Sequence, residues 1–274
     1  MYNLLMEILP VKNPFGAPVL HEEITSSTFD LARQLAKQGE AHGTVIAADY
    51  QTAGRGRQNR LWAAEKGKNL LFTILLRYGN ISSIPPALTL RTGLAVSLAI
   101  EELAPALAGI IKLKWPNDVM INSRKAAGIL AETDGNNVFI GVGVNVAQSE
   151  FPGEYHSKAI SIVQAVPDLA LKSGAEDLRF SLLEKILFHL HEEIEKHEEI
   201  EKPGEAGIWK ERINERLYKK NQTVIFAPGP TDSETLIEGK LSGLGPNGEL
   251  LIIPKGEEKE QAFFTGELRV YNTV

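Results

Sequence analysis

Residues 54–60 read GRGRQNR, and the chemistry such a loop offers is the holding of an anion. Gly54 and Gly56 let the backbone approach a ligand closely, while Arg55, Arg57 and Arg60 supply planar donors matched to carboxylate or phosphate. The loop is not a Walker A sequence, because no Gly-Lys-Ser/Thr closes it, and it is not a dinucleotide fingerprint. The residues alone leave a solvated basic loop or an RNA contact open. Its place between two apolar runs, GTVIAADY and NLLFTILLR, points instead to a ligand site carried by a sheet.

Two further stretches carry chemistry. In KWPNDVMINSRKAAGIL, Trp115-Pro116-Asn117-Asp118 ends an apolar strand in a stiff turn and NSRK leads into another, so Asp118 and Lys125 can face one cleft. Asp118 suits magnesium, which takes one or two protein carboxylates beside phosphates. Lys125 suits charge that develops as a bond to phosphorus or carbon forms. An ordinary hairpin with Lys125 as a surface charge is the other reading of the same spacing. In FIGVGVNV, Gly141 and Gly143 mark close backbone approach, and Asn145 offers the donor and acceptor that read a base edge; a bulge in a core strand is the alternative there. His189, His191 and His197 suggest zinc, but a spacing of six between the last two puts them on different helix faces, so they read as part of a solvated acidic face.

The elements that position these residues follow from periodicity. TSSTFDLARQLAKQG reads as a short amphipathic helix with Ser27 as N-cap and Gly39 as its stop. The runs flanking the arginine loop are apolar on both alternating faces, as in strands covered on two sides. PALTLRTGLAVSLAIEEL reads as a helix with Pro86 in its first turn. IIKLKW alternates Ile111, Leu113 and Trp115 against Lys112 and Lys114, which predicts a half-exposed strand; two more strands fall at about 126–132 and 137–146. Residues 147–174 show little pattern, and a helix follows at about 176–199. Beyond residue 220, five short strands separated by Gly, Pro and Asn turns predict a small barrel, with Pro246-Asn247-Gly248 as a hairpin turn. The division expected is therefore a lead-in over 1–20, a larger domain over 21–219 and a barrel over 220–274.

Composition sets the frame. The chain has 274 residues, a formal net charge of -6 and no cysteine, which excludes disulfides and thiolate metal sites and fits a cytoplasmic protein. The acidic balance argues against a general nucleic-acid coat. No leader pattern and no apolar run of membrane-spanning length is present, so no membrane insertion is expected.

Taken in order, TSSTFDLA, ADYQTAGRGRQNRLW, KWPNDVMINSRKAAGIL, GVGVNV and the late GEL resemble the biotin protein ligases. That resemblance implies an α+β fold: a mixed sheet flanked by helices, like that of class II aminoacyl-tRNA synthetases, followed by a small SH3-like β barrel. It also implies an ATP-dependent enzyme that makes biotinyl-5'-AMP and transfers biotin to a lysine of a biotin carboxyl carrier domain. Residue by residue, it implies that Ser27, Thr28 and Gln51 shape the biotin pocket, and that Gly54, Gly56, Arg55, Arg57 and Arg60 form a loop over the carboxylate and phosphates. Trp62 packs near adenine, Asn145 reads it, Lys125 meets the reacting groups with Arg57, and Asn117 and Asp118 support ATP. Magnesium is expected through the phosphates, with Asp118 the one candidate protein contact. Phe29 stands where many relatives have Asn, and Arg269 receives no role. The first twenty residues leave no room for a helix-turn-helix, so no DNA-binding domain is expected; a homodimer stays open. The competing readings are a lipoate protein ligase and, from another class, an RNA-binding module.

Overall fold

The structure is a computed structural model that describes residues 6–172, 174–195, 207–229 and 235–269. Eight strands form the large sheet: β1 (Glu7–Ile8), β2 (Val19–Thr25), β3 (Val45–Gln51), β4 (Leu70–Arg77), β5 (Lys112–Lys114), β6 (Asp118–Ile121), β7 (Arg124–Asp134) and β8 (Asn137–Val144). Their order is β1-β2-β3-β4-β8-β7-β6-β5. β2 and β3 run parallel and the other neighbours are antiparallel. The expected lead-in over residues 1–20 is thus part of the sheet in its described portion: Val19 and Leu20 already pair with Val45 and Ile46. Three prolines masked that periodicity.

Helices cover both faces. α1 (Thr28–Lys37) starts at Ser27, whose side chain accepts from Phe29 N, and lies on one face over Ile46, Leu75 and Phe139. α2 (Leu88–Leu103) and α5 (Ala175–Ile194) lie on the other, where Leu94, Val96, Ile100, Leu182, Leu183, Ile186 and Leu190 join the main core. Two short helices, α3 (Ile162–Ala165) and α4 (Asp168–Lys172), replace the patternless stretch expected before α5. The segment Ile81–Leu103 has the length and mean hydropathy, 1.3, of a membrane span, but 67% of it is buried inside the protein, as in a core helix. Pro86 lies ahead of α2 rather than in its first turn, because Ala87 is the N-cap and adopts a left-handed conformation. His189 pairs with Glu102 of α2 and His191 packs edge-on against Phe15, so these two face neighbours rather than solvent; His197 lies outside the described residues.

α6 (Ile208–Arg216), anchored by buried Trp209 and Ile213, leads into the second sheet. That sheet comprises β9 (Thr223–Pro228), β10 (Ile237–Leu244), β11 (Leu250–Pro254), β12 (Gln261–Phe263) and β13 (Gly266–Arg269), in the order β12-β11-β10-β9-β13. The β10–β11 turn carries Pro246-Asn247-Gly248 and is itself a docking point. Gly248 has φ +86, and a Cβ there would lie 2.5 Å from the Ala87 side chain, so only glycine fits both the turn and the contact. Its carbonyl accepts from Trp115 Nε1 at 3.0 Å, and the Trp115 ring meets Phe226 at 5.9 Å.

Candidate active site

One cavity of about 780 Å3 opens between the large sheet, the arginine loop and β13. Its floor is written in glycine. On β7 and β8, Gly128 faces Gly143 across the ladder, and Gly141 faces Leu130. The Trp62 indole lies on the first pair: a Cβ at Gly143 would sit 2.6 Å from Trp62 Cε2, and one at Gly128 2.9 Å from Trp62 Cζ3. The Phe29 ring covers Gly141, where a Cβ would come within 2.1 Å of it. Large rings reach the sheet because side chains there are missing. Phe29, which replaces a polar residue in the expected pattern, is therefore a buried packing residue with the Arg55 guanidinium over it at 5.8 Å.

At the β3 end the lining is neutral and polar. Gln51 Oε1 accepts from the Thr28 backbone N–H at 2.8 Å and from Thr28 Oγ1 at 3.1 Å, and Thr28 Oγ1 meets Thr73 Oγ1 at 2.8 Å. Such preset donors and acceptors suit an uncharged polar head group, since an unmatched group is costly once buried. Ser27 and Gly54 do not line the cavity. Ser27 is spent on capping α1, and Gly54 is buried beneath Trp62, whose N–H donates to the Gly54 carbonyl at 3.0 Å.

The arginine loop is folded on itself, with Gly56 N donating to Arg60 O at 2.7 Å and Gln58 at φ 55. Its three arginines have separate partners. Arg55 pairs with Asp30 of α1. Arg57 donates to Asn117 Oδ1 at 3.4 Å and to the Gly266 carbonyl at 3.3 Å. Arg60 grips Glu267 with both amino nitrogens, at 3.3 and 3.0 Å. Burial pulls the Arg57 guanidinium below its ordinary range, against the attraction of Asp118 and Glu267. The Glu267 hydrogen bond holds Arg60 above its ordinary range. Burial pushes the Glu267 carboxyl up, but the Arg60 hydrogen bond and charge more than offset it, and the net direction is down.

On the opposite wall Lys125 Nζ lies 2.6 Å from Asp118 Oδ1, a charge contact rather than a well-directed hydrogen bond, and 5.4 Å from the centre of the Trp62 ring. Lys125 is clasped by a segment that sequence reasoning passed over: its N–H donates to Lys158 O at 2.8 Å, and its carbonyl accepts from Ile160 N at 3.0 Å. The same segment fixes Asn145, whose Nδ2 donates to Lys125 O and Ile160 O at 3.2 and 3.3 Å, while Ile162 N donates to Asn145 O at 3.0 Å. The donor half of the Asn145 amide is therefore taken, and the acceptor half is what it can offer a ligand. Asn117 is a brace as well, its Nδ2 donating to Ile129 O at 2.7 Å while Oδ1 receives Arg57.

Thr28, Gln51, Arg55, Gly56, Arg57, Arg60, Trp62, Asn117, Asp118, Lys125 and Asn145 all line this one cavity. Lys114, expected on a solvent face, lines it too and is 8% exposed. Among the described residues no three His, Cys, Asp or Glu side chains gather to hold a metal. Asp118 and Glu267 are the carboxylates on the cavity wall, and Glu267 is committed to Arg60. Asp118 alone fits the habit of magnesium, which keeps most of its shell for water and phosphate.

The chain is similar to proteins already known. Residues 22–146 match the biotin/lipoate A/B protein ligase family. The chain is 37% identical over 166 residues to the bifunctional ligase/repressor BirA of Bacillus subtilis, covering 58% of this chain and 50% of that protein. It is 37% identical over 150 residues to the biotin--[acetyl-CoA-carboxylase] ligase of Mycobacterium tuberculosis, covering 52% of this chain and 54% of that one. The chain thus spans about half the length of these curated relatives. A biotin protein ligase from Aquifex aeolicus, solved in complex with biotin and ATP, superposes with a TM-score of 0.71 at 29% identity, covering 92% of this chain and 97% of that one.

Proposed function

Since residues 22–146 match the biotin/lipoate A/B protein ligase family, we propose that the chain is an ATP-dependent biotin protein ligase. In this reading it condenses biotin with ATP to biotinyl-5'-AMP and passes the biotinyl group to a lysine of a biotin carboxyl carrier domain. The observation that carries the reading is a single cavity with a neutral polar nest at Thr28 and Gln51, a cationic wall at Arg57, Arg60, Lys114 and Lys125, and a glycine floor between them.

The chemical difficulty is to bring two anions together. A biotin carboxylate oxygen must attack an α-phosphorus surrounded by negative oxygens, so Lys125 and Arg57 stabilise the charge that accumulates there. Trp62, packed against Gly128 and Gly143, gives the adenine a face to stack on, and Asn145 Oδ1 accepts from its exocyclic amine. Asp118 would be the carboxylate to hold a magnesium ion, which would supply counter-charge to the ATP phosphates. The loop seals the reactive mixed anhydride from water through the Arg60–Glu267 and Arg57–Gly266 contacts with β13. In the second step a neutral amine of the carrier lysine attacks the acyl carbon and AMP leaves.

Incubation with labelled biotin, ATP, magnesium and a biotin carboxyl carrier domain should give a labelled lysine and release pyrophosphate. Labelling from lipoate with none from biotin would move the assignment to the lipoate side of the family. The RNA-binding alternative loses support because Arg55, Arg57 and Arg60 turn onto the protein itself.

A further inference from the structure

The cavity holds a buried cation that the scheme above leaves without a task. Lys114 is 8% exposed and lines the cavity, and its ammonium has neither a hydrogen bond nor an ion pair among the described residues. The carboxylates nearest to it in charge are spent elsewhere, Asp118 on Lys125 and Glu267 on Arg60. A buried ammonium whose neighbouring carboxylates are each paired with another cation is costly to keep, and a ligand that brings further negative charge relieves that cost. Arg57 shows the same imbalance beside it, since both of its hydrogen-bond acceptors are neutral.

Position says which part of the ligand this is. β5, which carries Lys114, is five strand steps from β3, which carries Gln51, or roughly 24 Å at the usual strand spacing. Lys125, on β7, lies between them. A ligand whose uncharged head sits in the Thr28–Gln51 nest and whose reacting carboxylate reaches Lys125 leaves the β5 end for the most highly charged part of the nucleotide. Burial also holds the Lys114 ammonium below the ordinary lysine range, opposed by the charges of Asp118 and Glu267, and an arriving polyanion relieves that penalty.

Resting on the adenylate-forming reading, we propose that Lys114 grips the β- and γ-phosphates of ATP and the pyrophosphate that leaves. As the biotin carboxylate oxygen bonds to the α-phosphorus, the bond from that phosphorus to the bridging oxygen breaks, and the electron pair departs on the pyrophosphate oxygen that Lys114 faces.

The reverse reaction isolates this contact. With synthetic biotinyl-5'-AMP and inorganic pyrophosphate, Lys114→Met should raise KM for pyrophosphate by about tenfold or more, as expected for loss of a charge-assisted bond, and Lys114→Arg should recover most of it. Thermal melting supplies a readout independent of turnover. Pyrophosphate alone should raise the Tm of the wild-type protein and leave Lys114→Met unmoved, while the ligand-free Tm of Lys114→Met should equal or exceed that of wild type. A Lys114→Met protein with the wild-type KM for pyrophosphate and the wild-type pyrophosphate shift overturns the proposal. Failure of the wild-type protein to make any adenylate overturns the adenylation reading instead, while the pyrophosphate shift still decides whether Lys114 is an anion contact.

Discussion

The two faces of the β7–β8 hairpin use the same ladder for opposite ends. Toward α2 and α5 it presents Ala127, Ile129, Ile140, Val142 and Val144, all buried in the main core. Toward the cavity it presents Gly128, Gly141 and Gly143. One face is defined by volume that fills space, the other by volume withheld so that Trp62 and Phe29 can approach the backbone. Because strand side chains alternate with period two, each face can be tuned without touching the other. Damage to the helix face should therefore appear as lost stability, and damage to the glycine face as lost chemistry in a protein that still folds.

The largest effect belongs to the helix face. Ile140 is fully buried, and Ile140→Ala should cost about 3 kcal/mol of unfolding free energy through lost burial and the cavity left behind. Denaturant melts would show this, and the adenylation rate of the remaining folded fraction should hardly change. Next comes Gly143→Ala. Its new methyl group would meet the Trp62 ring at 2.6 Å, so the indole must lift from the floor, and a misplacement of about 1 Å at a reacting geometry can cost about 100-fold in rate. Pyrophosphate-release kinetics should fall by about that factor while the denaturation midpoint stays near that of wild type. If Gly143→Ala unfolds the protein, or Ile140→Ala abolishes catalysis at full stability, the separation of the two faces is wrong.

What the residues revealed in advance divides along the same line. NLLFTILLR announces β4 because a strand covered on both sides is apolar at nearly every position, and five of the seven residues Leu70–Leu76 join one of the two cores. The glycines of β7 and β8 were legible as close approach, though not what approaches, since Trp62 and Phe29 come from distant positions in the chain. Lys114 was misread for a definite reason. Alternation against Leu113 and Trp115 implies open solvent on the other side only if no cavity is built there, and the cavity that Lys114 lines is completed by β13, about 150 residues later. The clasp of Lys158 and Ile160 on Lys125 left no trace, because backbone groups carry it and any side chains would serve.

Charge repeats the contrast between faces at smaller scale. On the helix face, Asp49 of β3 receives Arg179 of α5 at 2.6 Å and His21 of β2 at 3.2 Å. Burial pushes the Asp49 carboxyl up, but Arg179 and His21 more than offset it, so the folded protein holds it below the usual range. A depressed carboxyl contributes stability that is complete above its unfolded value, about 3.9, and is lost as pH falls through the folded value. Asp49→Asn should therefore lower stability by about 2 kcal/mol near neutrality, the scale of a hydrogen bond to a charged group. The gap from wild type should close below about pH 4. A gap independent of pH would show that the loss is one of shape and not of charge.

The smallest effect falls where the large sheet meets the second one, and it tests whether the glycine face is complete without its cover. Trp115→Phe keeps an aromatic ring against Phe226 but removes the Nε1–H that donates to Gly248 O. A single neutral hydrogen bond contributes about 1 kcal/mol, and the Gly248 carbonyl is left to find another partner. Stability should fall by about that amount. The instructive measurement is the lifetime of bound biotinyl-5'-AMP, because Arg57 and Arg60 reach β13 of the same sheet that Trp115 anchors. A shortened lifetime would mean that the second sheet acts as part of the lid and that the arginine loop closes only against a correctly seated β13. An unchanged lifetime at reduced stability would mean that the Arg60–Glu267 grip seats β13 unaided, leaving Trp115 with a purely structural share of the motif it belongs to.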